Sequence, residues 1–157
     1  MLLFLRIYIA ISCLAIASNF AKAQSIDHWE SAIYNTDTWS YYIGDDQVPN
    51  SWNAQTFDAT SWATGSGGFG YGDNDDNTTT AQTTSIFIRK EFNISSISSI
   101  TSAILHADYD DGFVAYLNGT EIARGNMAGN PPAYDALATD IREAELYQGG
   151  LPQEYMM

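Results

Sequence analysis

The amino-acid sequence predicts an all-β protein, a jelly-roll-like β-sandwich, and three observations carry that expectation. Beyond roughly the first two dozen residues helical periodicity is nearly absent, and short alternating runs rich in aromatic and β-branched side chains replace it. Clusters of Gly, Asn, Asp and Ser punctuate those runs where a chain of strands must turn. Asn118-Gly119 stands between FVAYL and TEIAR, a hairpin signal with a mechanism, because both central residues of a two-residue type I′ turn need positive φ.

The chain opens MLLFLRIYIAISCLAIASNFAKAQ, with Arg6, an apolar run from Ile7 to about Ala17, and the small residues Ala21 and Ala23 ahead of Gln24. This is the grammar of a secretory signal peptide spanning residues 1–23, with cleavage after Ala23. The run is shorter than the roughly 20 residues that cross a bilayer, and no later stretch is apolar enough to do so. The mature chain, 24–157, is therefore expected outside the cell or at its surface, with no transmembrane segment. Cys13 offers a lipoprotein alternative, but Ala10-Ile11-Ser12 is a poor lipidation box and the apolar run continues past it. Cleavage after Ala23 removes the only cysteine, so no disulfide can form in the mature chain. It also leaves Arg89, Lys90, Arg124 and Arg142 against nineteen carboxylates, a formal charge of −15. Without a basic patch to neutralise phosphates, a nucleic-acid partner is not expected.

Trp29 to Tyr34 and Thr38 to Ile43 are aromatic-rich strand candidates, and Pro49 to Gly72 reads as loop, punctuated by Trp52, Phe57 and Trp62. Strands resume with Thr84 to Phe92, Ser102 to Tyr109, Phe113 to Leu117 and Thr120 to Arg124. In Ser102 to Tyr109 the residues Ala103, Leu105, Ala107 and Tyr109 alternate with Ile104, His106 and Asp108, as a half-covered strand requires. A two-residue Asn118-Gly119 loop pairs Leu117 with Thr120, Tyr116 with Glu121, Ala115 with Ile122, Val114 with Ala123 and Phe113 with Arg124. The face of Phe113, Ala115, Leu117 and Ile122 is expected to be buried. After Arg124 come Pro131-Pro132, Gly149-Gly150 and Pro152, with at most one helical turn around Ile141 to Tyr147 and no convincing strand. Six candidates fall short of the eight strands of a jelly roll, so the sandwich is expected to be incomplete at its C-terminus, with an open edge and uncovered side chains such as Phe113 and Leu117.

The stretch GSGGFGYGDNDDN, from Gly65 to Asn77, contains the spacing G-x-G-x-x-G followed by carboxylates. A dinucleotide fingerprint needs a strand before and a helix after it, and here Asp73, Asp75 and Asp76 stand where phosphate would be received. The nucleotide reading fails. The glycines instead suit close folding against Trp52, Phe57 or Trp62, with Phe69 and Tyr71 adding contact area. Asp73, Asp75 and Asn77 occupy positions 1, 3 and 5 of a calcium loop, yet Thr78 and Thr84 replace the Gly and bidentate Glu of an EF-hand. A calcium site there and a solvated acidic turn both stand open. No H-E-x-x-H or G-x-S-x-G occurs, and His28 lies far from His106, so neither a zinc site nor a hydrolase elbow is expected and the chain reads as no enzyme. His106 reads as an exposed residue, and Arg89 as a cross-sheet partner of a carboxylate.

Ser51-Trp52, Phe57-Asp58 and Trp62, then Gly68-Phe69-Gly70-Tyr71-Gly72-Asp73, Ile88-Arg89 and Phe92, and finally DYDDGFVAYLNG with Glu121 and Arg124, together resemble a galactose-binding-like jelly-roll module. The resemblance covers nearly all of 28–155 and is similar to the region N-terminal to CotH-like kinase or lamin-tail segments of secreted bacterial surface proteins. Arg142-Glu143-Ala144 and Tyr147-Gln148-Gly149-Gly150 resemble that subgroup as well, whose longer members continue into further strands; nothing matches a kinase active site. The resemblance implies a non-catalytic accessory module of an exported or cell-surface protein, binding carbohydrate or packing on neighbouring domains of a longer chain. A purely structural domain of a larger CotH-like kinase-type protein is the alternative. Asp110-Asp111-Gly112 also resembles the D-D-G of protective-antigen-type adhesin modules, which implies Asp110 and Asp111 as calcium or sugar ligands. The same three residues equally suit a sharp turn between strands.

Overall fold

Thr38–Ile43 forms the central strand, β1, of the largest sheet, because TWSYYI places bulky β-formers at successive positions that can pack on both faces. The computed structural model describes residues 28–72 and 76–157. Further strands follow in chain order: β2 (Ala63–Ser66), β3 (Phe69–Gly70), β4 (Thr78–Thr79), β5 (Ile86–Arg89), β6 (Ile104–Ala107), β7 (Phe113–Leu117), β8 (Thr120–Gly125) and β9 (Gln153–Met156). Two short 3₁₀ turns, Ile97–Ser99 and Leu146–Gln148, are the only helical elements among the described residues, so the class is all-β. The expected signal peptide and its Ala21, Ala23 and Gln24 cleavage site lie outside the described residues. No helix among the described residues is long and apolar enough to cross a membrane.

β1 pairs antiparallel with β2 on one side and β5 on the other. Direct pairing puts Ser40 beside Thr64 and Arg89, and Tyr42 beside Phe87, on one face; Trp39, Tyr41, Gly65 and Ile88 share the opposite face. The loop between β1 and β2 covers the first face. Trp62 lies 5.4 Å from Tyr42 and 5.4 Å from Phe57, while Trp52 meets Phe87 edge-on at 5.0 Å. The parallel ribbon β3–β4 covers the second face, with Phe69 5.3 Å from Tyr41. Trp52 also meets Tyr116 at 5.7 Å and so joins this sheet to the β7–β8 hairpin.

Asn118 and Gly119 have φ of 51° and 84°, the type I′ turn expected from their identities. The pairs Leu117↔Thr120 and Tyr116↔Glu121 follow as expected, but the register then slips, giving Ala115↔Ala123, Val114↔Arg124 and Phe113↔Gly125. Ile122 is the extra residue of a β-bulge, which corrects the three outer pairs expected from simple alternation. The slip brings Ala123 into the interior; it and Trp62, each 8% exposed, are the most buried hydrophobic residues described. Leu117, beside the turn and paired with Thr120, is 39% exposed, which corrects the buried face expected for it and matches the uncovered side chain also expected there.

Other expectations are corrected. Trp29 to Tyr34 is not a strand, because Tyr34 closes a turn with Asp37: its N–H donates to the Asp37 carboxylate at 3.2 Å and its carbonyl accepts from the Asp37 N–H at 3.1 Å. The span Pro49 to Gly72, read as loop, contains β2 and β3. The expected absence of strands after Arg124 is overturned by β9, which pairs antiparallel with β6 and sets Tyr155 beside Leu105. Phe113 is covered rather than bare, with Tyr109 at 4.6 Å and Tyr155 at 5.3 Å.

Candidate functional site

Asp108, Asp110 and Asp111 cluster where β6 ends and β7 begins. Asp108 uses its carboxylate to accept the main-chain N–H groups of Glu145 and Leu146 at 2.9–3.0 Å, with Arg142 Nη1 at 3.5 Å. Asp111 accepts the Arg142 N–H at 2.9 Å through Oδ1, and its carbonyl accepts from Asn126 Nδ2 at 3.0 Å. Arg142 lies 4.1 Å over the Tyr109 ring and donates to the Tyr109 carbonyl. These groups clamp 142–148 onto the body. Asp111 thus has a main-chain role, and among the described residues no three His, Cys, Asp or Glu side chains converge to hold a metal.

The glycine-rich stretch holds its own backbone. Thr78 N–H donates to Gly68 O at 2.9 Å, Thr80 N–H to Gly70 O at 2.8 Å, and Thr78 Oγ1 to Ser66 O at 2.7 Å. Asn77, a calcium candidate, donates through Nδ2 to Gly67 O at 2.8 Å. Its companions Asp73 and Asp75 lie outside the described residues. The close approach at Gly67 is to Asn35, whose carbonyl oxygen occupies the place of a Cβ, and at Gly65 to Thr78. This corrects the expected packing on Trp52, Phe57 or Trp62, all of which lie on the sheet's other side.

A cleft of about 320 Å³ opens on the first face of the β2–β1–β5 sheet. The 57–60 turn forms one wall. There Phe57 packs its ring edge against Trp62, and Asp58 Oδ1 accepts the Thr60 N–H at 2.9 Å. That N–H first, and the Thr60 hydroxyl second, hold the Asp58 carboxyl below its ordinary range, so it is ionised at neutral pH. The floor carries Ser40, Thr64 and Arg89, which strand pairing brings side by side. Lys90 and Glu91 form the far rim.

Arg89 braces this wall. Its Nη1 donates to Ala54 O at 2.8 Å and Trp52 O at 3.3 Å, and Nη2 to Gln55 O at 3.1 Å, with the guanidinium 5.8 Å from the Phe57 ring centre. The expected cross-sheet carboxylate is therefore replaced by three carbonyls. Glu91, two residues along the chain, adds a contact at 3.5 Å. Arg89 Nε is buried without a hydrogen-bond partner among the described residues. His106 is exposed as expected and pairs across the strands with Glu154 at 3.4 Å. A larger hollow of about 480 Å³ lies within the 142–150 loop and is lined by that loop alone.

No sequence motif marks the cleft. The one local sign of it is the polar residue in each strand, Ser40 in TWSYYI and Arg89 in IFIR, on a face that alternation alone would make apolar. No protein-family model matches the chain, and no curated protein or solved structure matches it.

Proposed function

We propose that residues 24–157 form a non-catalytic accessory module of an exported or cell-surface protein, of galactose-binding-like jelly-roll type, and that it binds carbohydrate in the cleft beside Phe57. One observation carries the reading: an aromatic ring, an ionised carboxylate and strand-borne hydroxyls face a single hollow of about 320 Å³. That volume lies at the lower end of the range of small-ligand pockets, roughly 300 to 1,000 Å³, and suits one or two sugar rings. A pyranose has an apolar C–H face for the Phe57 ring and a rim of hydroxyls that donate to Asp58 and accept from Ser40 and Thr64.

The test is a glycan array with the secreted chain, followed by titration calorimetry of any hit against Phe57→Ala. Loss of the aromatic wall is expected to weaken binding about tenfold or more. A folded chain that binds no glycan would return the module to the purely structural alternative.

A further inference from the structure

We infer that the cleft selects neutral over anionic sugars. This rests on the reading of the cleft as a carbohydrate site and deepens it to a ligand class.

Two cations stand at the cleft, and both are committed elsewhere. The Arg89 guanidinium, on a side chain only 12% exposed, spends both terminal nitrogens on the Trp52, Ala54 and Gln55 carbonyls and on Glu91. Its remaining N–H, at Nε, is a single buried donor and cannot form the two-pronged grip by which arginine holds a carboxylate or sulfate. Lys90 Nζ donates to Thr38 O at 3.1 Å and pairs with Asp37 at 3.5 Å.

The anions are less committed. Asp58 is exposed and engages Thr60 alone, through its N–H and hydroxyl, so the carboxylate keeps lone pairs to accept a ligand hydroxyl. Glu91 is 82% exposed and tied only at 3.5 Å. An incoming carboxylate or sulfate would thus meet two negative charges without a spare guanidinium, in the field of a chain of formal charge −13. A neutral polyol supplies the O–H donors that these carboxylates accept.

The experiment compares α-1,4-linked galactose oligosaccharides with α-1,4-linked galacturonate oligosaccharides of equal length, which differ only in bearing CH₂OH or COO⁻ at each ring. The probes are titrated into the secreted chain at low and at high salt. Neutral oligomers are expected to bind at least about tenfold more tightly at low salt, with the gap narrowing as salt screens it. Glu91→Gln, a rim substitution that leaves the wall intact, and Asp58→Asn are each expected to shrink that ratio. Equal or tighter binding of the uronate, or a ratio that neither variant moves, overturns the selectivity while the carbohydrate site stands. Binding of neither series, together with a blank glycan array, removes the site itself and the inference with it.

Discussion

Arg89 and Tyr155 show how single side chains hold a thinly buried protein together. One guanidinium satisfies three carbonyls of a loop that has no strand partner of its own, and so fixes the wall on which Phe57 and Asp58 stand. Tyr155 packs on Phe113, and its hydroxyl lies 3.4 Å from that of Tyr109, which donates to Gln153 at 2.8 Å. Burial first, and the Tyr109 hydroxyl second, push its phenol from 10.0 up to about 12. The folded value lies above the unfolded one, so the stabilisation linked to it is full below about pH 10 and is lost as pH rises toward 12. Tyr155→Phe removes that proton, and its urea midpoint is expected to fall less steeply than the parent's between about pH 10 and 12. Parallel slopes in the two proteins would mean that Tyr155 ionises as freely folded as unfolded.

At the scale of elements, the β7–β8 hairpin joins a turn dictated by two residues to a register that those residues do not control. Gly119 has φ of 84° with no atom nearer than 3.8 Å to a built Cβ, so space is ample and only backbone conformation resists substitution. Gly119→Val is expected to cost about 1 to 3 kcal/mol, read from chemical denaturation, because a β-branched residue at positive φ is strained. A neutral result would show that the turn relaxes to another type. Beyond Glu121 the bulge at Ile122 decides what faces inward, and sets the buried Ala123, rather than Ile122, opposite Ala115.

Across the whole molecule, separate small sheets are tied by a few bridges: Trp52 between the β1 sheet and the hairpin, and the Asp108–Arg142 clamp between the β6–β7 turn and the C-terminal segment. Asp108→Ala removes the carboxylate that accepts two main-chain N–H groups, of Glu145 and Leu146, and stands beside Arg142, and is expected to cost about 2 to 4 kcal/mol. Hydrogen exchange should show the β9 amides losing protection before those of β1, because β9 is reached only through the clamped 142–148 segment. Protection lost equally in both strands would mean that the clamp does not set the docking of β9.

Local chemistry was legible in the sequence. The all-β class, the β1 span, the type I′ turn and the β6, β7 and β8 strands follow from alternation, turn residues and positive φ, each settled within about ten residues of chain. Pairing between distant segments was not. ATGS and QEYM carry little strand preference, and become β2 and β9 because β1 and β6 offer them hydrogen-bonding edges. The cleft is of the same kind: Ser40, Thr64 and Arg89 are far apart in the chain, and only sheet register places them on one face beneath the Phe57 wall. Sequence determined which segments could extend and where they must turn; tertiary structure decided which partners they met, because a strand's backbone groups and its half-covered face are satisfied only by segments that local preference cannot name.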